Sequence, residues 1–184
     1  KYRINYNYKL DGIDFRIFAG HFFRNKTYSS RLNWQLDGQN GDQDYLYNNI
    51  FSGRTQQQPD FLSQQLNENH GGFKVPTLRG SSSWIATANL KVELPIRFIG
   101  FYADGGITPV YIVRTGKYVN QYLFDMGAHL SIIKNLVDIY IPIILHEDLT
   151  SELDFHEVSF LQRIRFTLNL KVLNPFKLLK QIEP

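Results

Sequence analysis

Two residue patterns in this chain have the types and spacing to do chemistry. The first is histidine beside glutamate, at His146-Glu147 and His156-Glu157. A zinc peptidase needs His-Glu-x-x-His on a helix, so that two imidazoles share one face and a carboxylate serves as base. Position 150 is Thr150 and position 160 is Phe160, so neither pair completes the motif. Both pairs lie between strand-like runs and read as solvated loop residues. His129, on the polar side of an alternating run, and His70, beside Gly71-Gly72, read as hydrogen-bonding groups rather than ligands. There is no Gly-x-Ser-x-Gly elbow, phosphate loop or dinucleotide fingerprint, and no acid–base couple stands out. No cofactor, metal or catalytic residue is expected in this segment.

The second pattern is a loop arginine with acids downstream. Arg79-Gly80 closes an irregular stretch; Glu93 and Asp104 follow on two alternating runs. An arginine folded back into a barrel would meet a carboxylate there and form a charge-assisted latch. Such a latch sets geometry and folding and carries out no reaction.

Positioning these groups requires strands. Tyr2 to Leu10 and Ile13 to Gly20 alternate with period two, with Asp11-Gly12 between them as a tight-turn dipeptide. Leu32 to Leu36 alternates, Asp37 to Asp42 is a turn, and a weaker aromatic strand runs from about Tyr45 to Phe51. Residues 52–83 form the longest irregular stretch, rich in Gln, Asn and Gly, and longer than a compact domain leaves without a role.

From there the pattern sharpens. Ala88 to Ile96, Ile99 to Asp104, Tyr122 to Ile132, Val137 to Leu145 and Ile164 to Val172 each put apolar side chains on one face. Polar ones, including Lys91, Glu93, Asp104, Asp138 and Arg165, take the other. Gly105 to Val119 reads as a loop in which Val110 to Val113 could extend a strand, and His146 to Glu157 as an acidic loop. The expectation is about nine strands and no helix before the tail. Short turns alternate with long loops, as in outer-membrane barrels. The mid-strand charges suit a hydrated lumen and a water-facing surface equally.

Composition narrows the classes. The 184 residues suffice for one domain with a sizeable core. The net charge of +3, with basic residues dispersed, argues against a nucleic-acid surface. Cysteine is absent, which excludes disulfides and thiolate zinc sites. Aromatics reach 15%, and several fall near strand ends (Tyr2, Phe22, Phe23, Trp34, Tyr122), where interfacial girdles would need them. No run approaches the length of a membrane-spanning helix. The chain opens inside a strand pattern, so it is expected to be a piece of a longer polypeptide.

The stretches HGGFKVPTLRGSSSW, NLKVELPI, GFYADGG and MGAHLSIIKNLVDIYIPIIL, followed by a last alternating strand, resemble the C-terminal barrel of the bacterial surface antigen superfamily, the BamA-like class. The resemblance covers well over half of the chain. It maps the family's in-folding loop arginine and glycine to Arg79 and Gly80, with Ser81 where the family has an aromatic. The aromatic-x-Asp-x-Gly strand maps to Tyr102, Asp104 and Gly106. The fold it implies is all-β: an antiparallel, up-and-down transmembrane β-barrel, of which residues 1–184 form the C-terminal portion as one domain with a loop at about 52–83 folded inward.

The function it implies is insertion or translocation of outer-membrane or surface proteins. A lateral seam would run along the last strand (Arg163, Arg165, Phe166, Leu168, Leu170). The implied partners are outer-membrane lipid, β-barrel substrate proteins and periplasmic or lipoprotein accessory subunits, with the bacterial outer membrane as location and no nucleic acid. Two alternatives stand beside it: a barrel anchoring an upstream hydrolase or peptidase, and a soluble β-barrel that binds an apolar ligand.

Overall fold

The computed structural model describes residues 2–5, 12–23, 34–36, 65–67, 73–75, 77, 79–96, 98–112, 114–133 and 136–169. The strands in chain order are β1 (Tyr2–Asn5), β2 (Gly12–His21), β3 (Trp34–Gln35), β4 (Gln65–Asn67), β5 (Gly80–Ser81), β6 (Trp84–Glu93), β7 (Ile99–Ile112), β8 (Lys117–Ile133), β9 (Val137–Leu145) and β10 (Arg165–Asn169). Two helices, α1 (Glu147–Phe155) and α2 (Phe160–Arg163), join β9 to β10. One sheet holds eight strands in the order β1-β2-β6-β7-β8-β9-β10-β4; β3 and β5 pair separately. Among the described residues the large sheet is open, and its only parallel pair is β10 with β4. The all-β, antiparallel expectation therefore holds at that level.

The alternating runs become strands with the faces their period requires, and the registers tie inward side chains into rows. One row reads Asp14, Lys91, Tyr102, Gly127, Pro142 across β2 to β9. The next reads Arg16, Asn89, Asp104, Asp125, Leu145. β8 and β9 change register between Met126 and Gly127, a bulge at Ile143 that leaves Ile143 and Ile144 both pointing outward. Pro142 sits beside this bulge, where a missing N–H disturbs the ladder least.

The buried face of the sheet is the polar one. Asp14, Thr87, Asn89, Lys91, Glu93, Asp104, Asp125, His129, Asp138 and Arg165 are all buried. The opposite face exposes Phe15, Ile17 (68%), Ile99, Phe101, Tyr122 (65%), Phe124 and Ile132. An ordinary antiparallel sheet in water does the reverse.

Part of the inner face is covered by hydrocarbon from elsewhere in the chain. Trp34, Leu36 and Phe73 pack with Ile85, Leu123 and Leu149 at the end where β6 and β8 begin and β9 finishes. Phe18, Phe22 and Leu145 border this cluster, and Val75, Leu153 and Val158 form a second one that shares Leu145. Trp34 and Phe22 therefore belong to an interior cluster and not to a girdle; Tyr2, Phe23 and Tyr122 are exposed. Two wall glycines make this close approach feasible. A Cβ on Gly20 would stand 2.6 Å from the Trp34 ring, and one on Gly106 would stand 2.5 Å from Leu36 and 3.3 Å from Phe73.

Four local expectations are corrected. Asn5 pairs with Gly12, so Gly12 belongs to β2 and not to a turn, and Asp11 lies outside the described residues. Gly105 to Val119 is mostly strand: β7 and β8 pair out to Ile112 and Lys117 because Ile107 to Ile112 keeps the β-forming composition of the strand. His146 to Glu157 is no loop but helix α1, since His146 Nδ1 accepts from the Asp148 N–H, Glu147 and Asp148 stand in the first turn, and Leu149 and Leu153 lie one turn apart on the buried side. Phe160 to Arg163 is helix α2, whose Gln162 side chain accepts from the Ser159 N–H, so the last strand starts at Arg165. Tyr45 to Phe51 and His70 lie outside the described residues.

Candidate functional site

Asp104 is the centre of the buried network, and its partner is a lysine. The Lys74 Nζ lies 3.2 Å from Asp104 Oδ2, with both side chains almost wholly buried at 4% and 2%. Asn89 Nδ2 donates to the other oxygen of Asp104 at 2.8 Å. The Lys74 ammonium also stands over two tyrosine rings, 5.0 Å from Tyr140 and 5.8 Å from Tyr102. A desolvated cation over two rings gains about 2 kcal/mol or more from the ring quadrupoles. Tyr102 and Tyr140 meet edge to face at 5.2 Å, which fixes both rings.

Register explains why a cation must be here. Asp104 on β7 stands directly opposite Asp125 on β8, both facing inward and both buried. Two adjacent buried carboxylates repel unless something positive or hydrogen-donating lies between them. Lys74 provides that, with its ammonium on Asp104 and its backbone N–H on Asp125. The Tyr102 hydroxyl donates to Asp125 as well, at 3.3 Å. The segment Phe73-Lys74-Val75 thus reaches the wall at three consecutive residues: two apolar side chains join the two hydrophobic clusters and the lysine between them meets the acids.

A second knot lies toward the short-turn end. Lys91 Nζ is 3.0 Å from Asp138 Oδ2 and 4.0 Å from Glu93. His129 Nε2 is 3.1 Å from the other Asp138 oxygen, and its ring lies against Tyr140 at 5.1 Å. Glu93 accepts from the Gly12 N–H at 3.1 Å. A small cavity bordered by Asp14, Arg16, Lys74, Lys91 and Asp104 separates the knots.

The expected latch residues are therefore redistributed. Arg79 does not meet Asp104. Its Nε lies 3.6 Å from Glu152 of α1, in a partly exposed pair, and Thr77 Oγ1 donates to the same Glu152 at 3.0 Å. Lys74 occupies Asp104, while Arg79, just before β5, sits beside Glu152 of α1. Gly80 pairs with Gln35, and Ser81 pairs with Trp34. Gly106 leaves the gap that Leu36 and Phe73 fill.

Of the expected seam residues, Arg163 belongs to α2 and bonds Asp154 at 3.1 Å. Arg165 is buried and donates to the carbonyls of Gln162 and Ile164. Phe166 is half-buried, Leu168 pairs with Val137 and Leu66, and Leu170 lies outside the described residues. Among the described residues β4 covers the outer edge of β10 at three positions.

The signal for Lys74 was present in the sequence as a lone cation between Phe73 and Val75, two residues that need burial. Among the described residues no group of three or more metal-ligating side chains occurs. His146 caps α1, and His156 is its C-terminal cap residue. No protein-family model, curated protein or solved structure matches the chain.

Proposed function

We propose that this chain is the C-terminal portion of an outer-membrane β-barrel of the BamA-like class, which acts in inserting or translocating outer-membrane or surface proteins. The observation that carries the membrane reading is the inverted polarity of the sheet, with charges buried and Ile, Phe and Tyr exposed. Exposed apolar side chains on strand after strand oppose folding in water and favour hydrocarbon at roughly 25 cal/mol per Å². β2 and β6 have 10 residues, β7 has 14 and β8 has 17, against the ~9–11 that a tilted membrane strand needs. The charged inner face also disfavours a soluble barrel around an apolar ligand.

The transport part rests on β10. Among the described residues it pairs with β9 over four positions and with β4 over three, the latter in parallel, where each rung is slightly weaker. Such an edge suits exchange with an incoming strand by β-augmentation. Substrate strands, lipid and accessory subunits are the partners this reading requires.

The filled interior favours a second reading: a closed membrane anchor for an enzyme elsewhere in the polypeptide. One experiment separates these readings. The full polypeptide is made in a bacterium with an outer membrane, then tested for heat-modifiable migration and for speeding the folding of a reporter barrel into vesicles. Both effects are expected. A heat-modifiable protein without acceleration supports the anchor, and a soluble protein without a heat shift overturns both.

A further inference from the structure

The β7–β8 hairpin outgrows the sheet. β6 pairs with β7 only as far as Ile107, and β9 pairs with β8 only from Asp125. Beyond these points, among the described residues, β7 and β8 have only each other as hydrogen-bonded strands out to Ile112 and Lys117, and Thr108 is still buried at the base. A two-stranded ribbon is marginal in water by itself. Here Tyr111, Ile112, Tyr118 and Val119 are all exposed on it.

Tyr111 and Tyr118 are register partners with rings 5.1 Å apart, and both continue the outward face that carries Ile99, Phe101, Phe124 and Tyr122. Between Gly105 and Phe124 the only charged residues are Arg114 and Lys117, both at the tip and both exposed.

The span decides what this ribbon meets. The twelve residue steps from Ile99 to Tyr111, at about 3.3 Å each and tilted by about 45°, rise roughly 28 Å, close to the ~25 Å apolar band of a membrane barrel. The tyrosine pair then falls at the headgroup level and the two cations just past it. We propose that the hairpin tip is a docking site for phosphate-bearing lipid headgroups of the outer leaflet, with Tyr111 and Tyr118 against the acyl boundary and Arg114 and Lys117 on phosphate. This rests on the membrane reading above. The exposed cation pair fits an anion, and no carboxylate lies between Gly105 and Phe124 to oppose it. The base is held by the Gln121 amide, which donates to Asp148 of α1 at 2.6 Å.

The test titrates fluorescent lipid A onto the detergent-solubilised full polypeptide and onto an Arg114→Ala/Lys117→Ala variant. Each cation removed is expected to weaken binding roughly fivefold, about twenty-five-fold together. Two spin labels are read alongside in the full polypeptide reconstituted into vesicles, at Ala103→Cys on the outward face and Thr115→Cys at the tip. Equal affinity of variant and parent, with the Ala103 label in lipid, overturns the docking site and leaves the membrane reading standing. A water-exposed Ala103 label overturns both. Lipid A affinity lost in the variant, with the Thr115 label at headgroup depth, bears the proposal out.

Discussion

The inner face of the sheet is filled in two different ways, one row apart. At the loop end Trp34, Leu36 and Phe73 cover it with hydrocarbon that meets Ile85, Leu123 and Leu149. In the next rows Lys74, Lys91 and His129 face Asp104, Asp125, Glu93 and Asp138. Hydrocarbon packing tolerates small shifts of position, because the gain follows area and not direction. Buried charge does not: each carboxylate needs its own donor within about 3 Å. The apolar cluster therefore covers the wall, while Lys74 fixes where along the wall the segment sits. The contrast also separates the two loop cations. Lys74 is enclosed with Asp104, whereas Arg79 and Glu152 meet half in solvent.

Breaking the charged row should have the largest effect. Lys74→Met keeps the length of the side chain and strands Asp104 beside Asp125, and the expected loss is about 3–5 kcal/mol in urea titrations. Adding Asp104→Leu should recover part of that loss, because the unpaired carboxylate is the main penalty. No recovery would mean that Lys74 acts mainly through the tyrosine rings.

Leu149→Ala probes the apolar row and should lower stability by about 2–5 kcal/mol through the cavity it leaves, while Lys74 stays in place. Gly106→Val forces a side chain against Leu36 and Phe73, and about 1–3 kcal/mol of overpacking is expected, read as a lowered midpoint with an unchanged urea slope. Arg79→Ala should be mildest, under about 1 kcal/mol, since its pair with Glu152 is partly solvated. A loss as large as that of Lys74→Met would reverse the assignment of the latch.

Period two made the faces of β2, β6, β7, β8 and β9 legible in the sequence, because alternation is a local property. Which face turned inward was not legible, since Lys91 and Glu93 suit water and a lumen alike until the packing of Phe73 and Trp34 is known. Asp104 was expected as an anchor point because the resemblance maps the aromatic-x-Asp-x-Gly strand to Tyr102, Asp104 and Gly106. Its partner was missed because resemblance drew attention to Arg79, and the distance from residue 74 to 104 carries no periodic signal. Helix α1 was missed because nine residues give only two apolar repeats, Leu149 and Leu153, among acids that resemble a loop. The β7–β8 overhang was read as a loop, with Val110 to Val113 the one stretch expected to extend a strand. The structure keeps Pro109 where β7 has one neighbour.

The bulge at Ile143 has a directional effect that its size conceals. Along β9 the inward positions are Asp138, Tyr140 and Pro142, so an unbroken count would send Ile144 inward and Leu145 outward. With one residue inserted, the count restarts, and Leu145 faces Asp125 and joins both apolar clusters. Helix α1 leaves from Leu145, so its heading is inherited from that offset. A single inserted residue works like a frameshift in geometry: it steers α1 over the interior, where Glu152 can receive Thr77 and Arg79, and its deletion would aim the same helix outward, away from them.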